Sequence, residues 1–242
     1  MCVSVCMATW NGEKYIQEQL LSILKQLADD DEVIICDDAS YDNTVPIVMA
    51  LDDQRIKVTI NPVRLGHVRN FEKAISLARG SYVFLSDQDD IWPEKRVSGM
   101  IKALDHGGVV TGNYDCIPQN IKTRPYIKIE SFPANSIISI WKILLGMAPY
   151  FGSAMGFRRD ELQYLLPFPK MVEAHDLWIA INANIRGVMV HLPSVVLHRR
   201  LHDSNFTPRK SRRLKDALRA RLIMIRLIRK SFSLKKKHQR NR

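Results

Sequence analysis

Short apolar runs alternate along residues 1–115 with segments whose apolar positions recur every three or four residues. Residues 3–8 form a compact apolar run that predicts a buried strand. After the turn Trp10-Asn11-Gly12, Ile16, Leu20, Ile23 and Leu27 fall on one helical face. Residues 32–36 (EVIIC) predict a second strand with a helix following from Thr44, and residues 58–60 a short third strand. Val68, Phe71, Ile75 and Ala78 share one face of a further helix over residues 67–78. Residues 82–86 (YVFLS) predict a fourth strand, and Pro93 suits the first turn of the helix after it. Strands alternating with helices argue for an α/β fold with a mainly parallel sheet covered on both faces.

From residue 116 to 207 the pattern is less regular, with prolines at 118, 125, 133, 149, 167, 169 and 193. The expectation there is loops, a strand near residues 152–157, a helix from about residue 174 to 185, and a strand near residues 188–191. Charge then changes abruptly. Residues 208–242 hold 15 Lys/Arg against one acid, Asp216, so they carry +14 of a total of +11 and leave residues 1–207 at −3. Within this tail Leu214, Leu218, Leu222, Ile225, Ile228 and Phe232 form an apolar stripe at helical spacing, flanked by Arg212, Lys215, Arg219, Arg226 and Lys230. That combination predicts an amphipathic helix lying on anionic lipid rather than an extension of the preceding domain, with packing of the stripe on that domain or a dimer contact as the plain alternatives. The division read from the chain is therefore 1–207 as one domain, with halves 1–115 and 116–207, and 208–242 as a basic tail.

Cys2, Cys6, Cys36 and Cys116 lack any C-x-x-C spacing and read as free thiols of a reducing compartment. The opening Met1-Cys2-Val3-Ser4-Val5 has no basic start ahead of a long apolar stretch, so no export signal is expected. The longest uncharged run, residues 143–157, spans 15 residues and contains Pro149, short of the roughly 20 needed to cross a bilayer. These features predict a cytoplasmic protein held peripherally at the inner face of the cell membrane.

Candidate chemistry concentrates where the strands end. Ser86-Asp87-Gln88-Asp89-Asp90 follows the fourth strand directly, and three carboxylates in four residues repel one another unless solvated, hydrogen-bonded or neutralised by a cation. In a parallel α/β sheet the ligand crevice lies outside the carboxyl ends of the strands. Oxygen-rich ligands suit Mg²⁺ or Mn²⁺ shared with phosphates. A solvated acidic turn with Asp90 as a helix cap would carry the same residues. Asp37-Asp38 ends the second strand in the same manner, and Thr9-Trp10-Asn11 ends the first. Turn-forming residues alone could give that pattern, but three of four strand ends with polar groups favour one shared binding crevice.

Met7-Ala8-Thr9-Trp10-Asn11-Gly12, Asp37-Asp38-Ala39-Ser40-Tyr41-Asp42-Asn43-Thr44 and Leu85-Ser86-Asp87-Gln88-Asp89-Asp90-Ile91-Trp92 resemble, in order and spacing, the successive signatures of family 2 glycosyltransferases. The stretch from Asn61 through Gly66, Asn70-Phe71, Ala74 and Gly80 resembles the segment before the family's aspartate motif. Gly152-Ser153-Ala154-Met155-Gly156-Phe157, His175-Asp176-Leu177-Trp178 and the segment from Leu197 to Asn205 resemble later blocks, so the likeness spans residues 3–206. The resemblance implies a GT-A fold. It places Asp37 and Asp38 at the base and ribose of a nucleotide-diphosphate sugar, with Thr9, Asn11, Asn70 and Gln88 nearby. It gives the metal and diphosphate to Asp87 and Asp89, with Asp90 behind them or as an alternative ligand. Arg200-Leu201-His202-Asp203-Ser204-Asn205 fits the pattern Arg-x-His-x-x-Asn, which makes His202 a third metal ligand and Arg200 a phosphate contact. A basic surface loop is the plain alternative for this block, from His198 and Arg199 onward. Asp176 resembles the catalytic base, where a first-turn acid favouring the helix dipole is the plain alternative.

The implied reaction is inverting transfer of a sugar to a hydroxyl of a glycan or lipid-linked acceptor, with Mg²⁺ or Mn²⁺, in surface polysaccharide or glycoconjugate assembly. The SDQDDIW and HDLW blocks look most like a rhamnosyltransferase-like branch, pointing to a dTDP- or UDP-sugar donor. Ser153 stands where many relatives carry cysteine, which suggests an effect on packing, and Trp10 replaces the usual tyrosine. A non-catalytic sugar-nucleotide-binding protein is disfavoured by the intact Asp176 and Asp87-x-Asp89. Nucleic-acid binding through the tail leaves the acidic strand ends unexplained.

Overall fold

A computed structural model describes residues 2–117, 127–147, 149–202 and 214–240. The elements run β1 (Val3–Thr9), α1 (Ile16–Leu24), β2 (Glu32–Asp37), α2 (Thr44–Met49), β3 (Ile56–Ile60), α3 (His67–Leu77), β4 (Tyr82–Asp87), α4 (Arg96–Leu104), β5 (Val109–Ile117), α5 (Ile137–Leu145), β6 (Met155–Arg158), α6 (Leu162–Leu165), α7 (His175–Arg186), β7 (Met189–Arg200) and α8 (Leu214–Arg240). They build one seven-stranded sheet in the order β3-β2-β1-β4-β6-β5-β7. β3, β2, β1 and β4 are parallel; β6 is antiparallel to β4 and β5, and β7 runs parallel to β5. The carboxyl ends of six strands therefore lie along one edge, joined there by the start of β6.

The sheet is covered on both sides, as near-continuous apolar strands require. On one side α1, with Ile16, Leu20 and Ile23 fully buried, packs with Val97 and Met100 of α4 against Val5, Met7, Val33 and Phe84. On the other, Phe71, Ala74 and Ile75 of α3 and Trp178 and Ile181 of α7 cover Cys6, Ile34, Leu85 and Phe157. The predicted elements of the first half are all present. α4 begins at Arg96, so Pro93 lies ahead of the helix and not in its first turn.

The second half is more regular than its prolines suggested. β5 and α5 are additional elements, and β7 runs on to Arg200, well beyond the short strand expected near residues 188–191. Its extension is stabilised by a bridge in which Ile91 and His198 exchange both backbone hydrogen bonds, at 3.0 and 2.9 Å. The 198–200 segment is thus part of the sheet.

The tail helix also departs from the expectation of a detached element. Ala220, Met224 and Leu227 are buried in the core shared with α7, and Lys235 Nζ donates to the carbonyl of Ile185 at 2.7 Å. This inner face lies opposite Leu218 and Leu222 of the predicted stripe, which stay exposed. Arg212 of the flank lies outside the described residues.

Phe84 of β4 and Gly156 of β6 are register partners. A Cβ on Gly156 would fall 2.1 Å from Cδ1 of Phe84, in the sheet between the two cores. Overpacking at such a site costs about 1–3 kcal/mol. Gly156→Ala is expected to lower the urea midpoint accordingly with an unchanged m-value, measured by equilibrium denaturation.

Candidate active site

β4 delivers the acidic loop to the carboxyl edge of the sheet, because its apolar run ends at Leu85 and the chain must turn into α4. Asp87, Asp89 and Asp90 there present carboxylate oxygens all within 4.8 Å of one another. Burial, reinforced by repulsion from Asp89, pushes the Asp87 carboxyl up to about 7. Burial, with repulsion from Asp87 and Asp89, raises Asp90 well above the usual carboxylate range. Asp90 Oδ1 accepts the backbone N–H of Arg200 at 3.1 Å, whereas its buried Oδ2 has no hydrogen-bond partner among the described residues. An oxygen buried without a donor, beside two more carboxylates, fits a divalent cation. Asp87, Asp89 and Asp90 are the residues placed to supply its ligands, while the expected third ligand His202 contacts Asp89 and lies outside that group.

The acidic loop is held rigidly from below. Ser153 Oγ accepts the Asp87 N–H at 3.0 Å, so the serine found in place of cysteine positions the acidic loop as well as filling space. Arg96, fully buried, donates to the carbonyls of Val196 at 2.6 Å, Leu85 at 3.2 Å and Ser153 at 2.6 Å. It thereby ties the ends of β4 and β7 to the 3₁₀ turn Gly152–Ala154. Burial brings its guanidinium down to about 9, opposed by the nearby Asp90.

β7 brings the basic block to the same place. His202 Nε2 lies 2.8 Å from Asp89 Oδ2, and its ring stacks on Tyr15 at 4.7 Å. Arg200 reaches the carbonyl of Asp89 at 3.2 Å and pairs with Glu18 Oε2 at 2.6 Å. Its neighbour Arg199, on the opposite side of the strand, lies over Phe151 and its charge counters the rise in the Asp87 pKa. Strand alternation puts Arg199 beside Asp87 in addition to Arg200, which contacts Asp89 and Asp90, and the side on which each points is invisible without the sheet. Asn205 lies outside the described residues.

The first two strand ends form the neighbouring wall, and most of their polar atoms bind each other. Thr9 and Asp37 are register partners, and Asp37 Oδ2 accepts from Thr9 Oγ1 at 2.8 Å and Ser40 Oγ at 2.6 Å. Asp38 accepts the N–H groups of Leu65 at 2.6 Å and Gly66 at 2.8 Å, fixing the turn into α3. Asn11 Oδ1 accepts from Tyr41 N–H at 3.1 Å. Asn70, buried, donates to the carbonyl of Cys36 at 2.6 Å and accepts from Asn61 at 2.8 Å. Gln88 exchanges two hydrogen bonds with the backbone of Trp10, at 2.8 and 3.0 Å, so it ties the first loop to the acidic loop. These residues shape the wall. At its rim are two aromatic groups that the motifs alone did not single out as site residues: Trp10, with the Arg64 guanidinium 3.4 Å above its ring, and the exposed Tyr41.

Asp176 closes the crevice from the first turn of α7. Its Oδ1 accepts the Leu177 N–H at 2.7 Å, while burial raises its pKa to about 6. Its charge also contributes to the rise at Asp87, and the ring of the adjacent His175 lies against Gly152, next to the Ser153 that holds the Asp87 N–H. His175 beside it is buried, with neither ring nitrogen hydrogen-bonded among the described residues, and burial lowers it to about 3, keeping it neutral. A Cβ on Gly152 would meet its Nε2 at 2.5 Å, so glycine there lets the ring pack under the turn that carries Ser153.

Comparison with known proteins converges on one family. The family model described as Glycosyl transferase family 2 matches residues 4–165. The UDP-Glc:alpha-D-GlcNAc-diphosphoundecaprenol beta-1,3-glucosyltransferase of Escherichia coli is 31% identical over 138 residues, covering 56% of this chain and 54% of that protein. A dTDP-rhamnosyl transferase of Shigella flexneri is 34% identical over 122 residues, covering 48% of this chain and 40% of its own length. The chain thus spans about half the length of these relatives or less. Among solved structures, Staphylococcus aureus TarS 1–349 with UDP-GlcNAc superposes with a TM-score of 0.73 at 21% identity, over 93% of this chain and 66% of that one. A mannosyltransferase from Pyrobaculum calidifontis with GDP-Man and Mn²⁺ gives 0.64 at 23%, over 84% and 58%. The fold is the GT-A fold that the motifs implied.

Crowded carboxylates with raised pKa values bind a cation in competition with protons. Mn²⁺ is expected to raise the Tm of the protein, more at pH 8 than at pH 6, because Asp87 must lose a proton with a pKa of about 7. The increment should vanish in Asp89→Asn. Differential scanning fluorimetry with and without EDTA reads both.

Proposed function

The chain belongs to glycosyl transferase family 2, and from that premise we propose that it is an inverting, divalent-cation-dependent glycosyltransferase acting on a nucleotide-diphosphate sugar. The observation that carries this reading is the meeting, at one sheet edge, of the Asp87-Asp89-Asp90 cluster and the isolated carboxylate of Asp176. Two kinds of carboxylate are needed for such a reaction: a group that tolerates a cation and diphosphate, and one that takes a proton.

Asp87, Asp89 and Asp90, with His202 beside Asp89, would hold a divalent cation, which would supply positive charge against the leaving diphosphate. The protein's own part begins with orientation. Arg96 and Ser153 fix the height of the acidic loop, and Arg199 adds a positive charge on the same side. Asp176, ionised above about pH 6, accepts the proton of the acceptor hydroxyl as that oxygen attacks the anomeric carbon. The bond from that carbon to the diphosphate oxygen breaks on the opposite face, so one displacement inverts the configuration. A pKa raised toward neutrality strengthens Asp176 as a base while leaving it ionised at pH 7.

The donor we favour carries UDP or dTDP, the nucleotides named for the similar enzymes of Escherichia coli and Shigella flexneri. The wall built by Thr9, Asn11, Asp37, Asp38, Asn70 and Gln88, with Trp10 at its rim, is assigned to the nucleoside, and Arg199 with Arg200 to the diphosphate. A lipid-linked glycan is the acceptor class that the Escherichia coli relative's name supports. Placement on the inner face of the cell membrane follows from that acceptor and the basic tail; no described helix is long and apolar enough to cross a bilayer.

Asp176→Asn is expected to keep donor affinity within a few-fold and to lose turnover by at least about a hundredfold, the lower range for a general base. In the wild type at saturating Mn²⁺, which keeps Asp87 ionised, kcat/KM should fall about tenfold per pH unit below pH 6, as Asp176 protonates. The stability sign is opposite. A carboxyl with a raised pKa favours the fold at low pH and loses that contribution as pH rises through 6, so the Asn variant should melt at or above the wild-type Tm at pH 8. Radiolabelled transfer kinetics and calorimetry give the two readouts, and equal losses of affinity and turnover would assign Asp176 a structural role.

A further inference from the structure

α5 and α8 lie side by side over α7, and each turns an apolar face away from it. In α5, Ser139, Ile140 and Ile143 are buried, while Ile138, Trp141 and Leu145, at spacings of three and four, are 55%, 59% and 62% exposed. In α8, Ala220, Met224 and Leu227 dock on the core, while Leu218, Leu222 and Phe232 on the opposite side remain exposed. Arg221 Nη2 donates to the carbonyl of Leu145 at 2.8 Å, which joins the C-terminal end of α5 to α8 and makes the two faces neighbours. A capping box at Ser136 and Ser139 and the left-handed Gly146 (φ 78°) define both ends of α5, so it is a formed helix with a solvent-facing apolar side. Six large apolar side chains on one exposed surface are more than isolated surface hydrophobes require.

We infer that this paired surface of α5 and α8 is the protein's docking face for an anionic phospholipid bilayer, with Trp141 as its interfacial anchor. The charge selects this occupant. α8 carries ten Lys/Arg against one acid, Asp216, and α5 adds Lys142. A second copy of the chain seated on the same face would bring two such helices together, like charge against like. An anionic lipid surface complements them and accepts apolar side chains to the depth of the headgroups. Tryptophan beside basic residues is the composition that partitions to that depth. The surface also has a route to the site, since the chain leaves α5 and reaches, through Tyr150, the turn whose Ser153 holds Asp87. The inference rests on the reading of a lipid-linked acceptor, and goes beyond the basic tail by assigning α5 an equal share of the contact.

Because Ala220, Met224 and Leu227 of α8 cover part of the core, the test uses point variants that keep α8 in place. Vesicles of phosphatidylglycerol and phosphatidylcholine (3:7), and of phosphatidylcholine alone, are mixed with the wild type, Trp141→Ser, Leu222→Glu and the reporter Trp141→Phe. Binding is read by co-sedimentation and by quenching of tryptophan fluorescence with brominated lipid. The expected result is wild-type binding to anionic vesicles that salt weakens, with at least about tenfold weaker partitioning of Trp141→Ser and Leu222→Glu. Brominated lipid should quench the wild type, and much of that quenching should be missing in Trp141→Phe. Undiminished binding by both weakened variants, equal binding to neutral vesicles, or absence of quenching would overturn the assignment. So would a dimer in analytical ultracentrifugation that the same substitutions dissolve. Donor binding, followed as a Tm shift by a UDP-sugar with Mn²⁺, reads the catalytic proposal separately. Its absence in a protein that still binds vesicles counts against the transferase reading and not against the lipid face.

Discussion

Three carboxylates crowded into one partly dry crevice repel one another, and the architecture around Asp87, Asp89 and Asp90 is organised to hold them there. Left to itself the loop would swing outward and solvate. Instead Ser153 takes the N–H of Asp87, the Arg200 N–H binds Asp90, and His202 meets Asp89. Arg96 holds the frame through three carbonyls and leaves the carboxylates without a direct ion pair from its own side chain. Repulsion that the protein maintains would be relieved by a cation, and this is how the raised pKa values of Asp87 and Asp90 support the proposed cation site.

The same constraint explains the long last strand. β7 must reach the acidic loop to deliver Arg199, Arg200 and His202, and it does so by pairing His198 with Ile91 immediately after the carboxylates. The tail then returns over α7 and serves two surfaces at once. Its Ala220-Met224-Leu227 face completes the core, while its Leu218-Leu222-Phe232 face joins α5 outside. The acidic edge and the exposed apolar layer are thus parts of one packing unit, connected through the short segment between α5 and Ser153.

The parallel half of the fold was legible because its periodicity is local. Ile16, Leu20 and Ile23 are buried as their spacing predicts, and so are Val68, Phe71 and Ile75. The strand-end acids were legible too, because a parallel sheet puts them on one edge whatever the details. Other features required long-range pairing. β5 and the full length of β7 are held by contacts across more than seventy residues, which no local pattern reveals. Arg199 and Arg200 point to opposite sides of β7, and only the sheet shows that both reach the acidic loop's surroundings. α8 has two apolar faces, and its sequence displays the larger residues of the outer one while the small Ala220 of the inner one passes unnoticed. Thr9, Asp37, Asp38 and Asn70 also hydrogen-bond to one another's strands and loops, a structural task that their motifs did not reveal.

The claim on which the account turns is that the acidic edge binds a nucleotide-diphosphate sugar together with a divalent cation. Isothermal titration of UDP-, dTDP- and GDP-sugars into the protein, in Mn²⁺ and again in EDTA, tests it most directly. The account predicts saturable binding of a UDP- or dTDP-sugar in Mn²⁺ that weakens by at least about tenfold in EDTA, equivalent to about 1.4 kcal/mol. Equal binding in Mn²⁺ and EDTA, or no binding of any of the three donors, would contradict it.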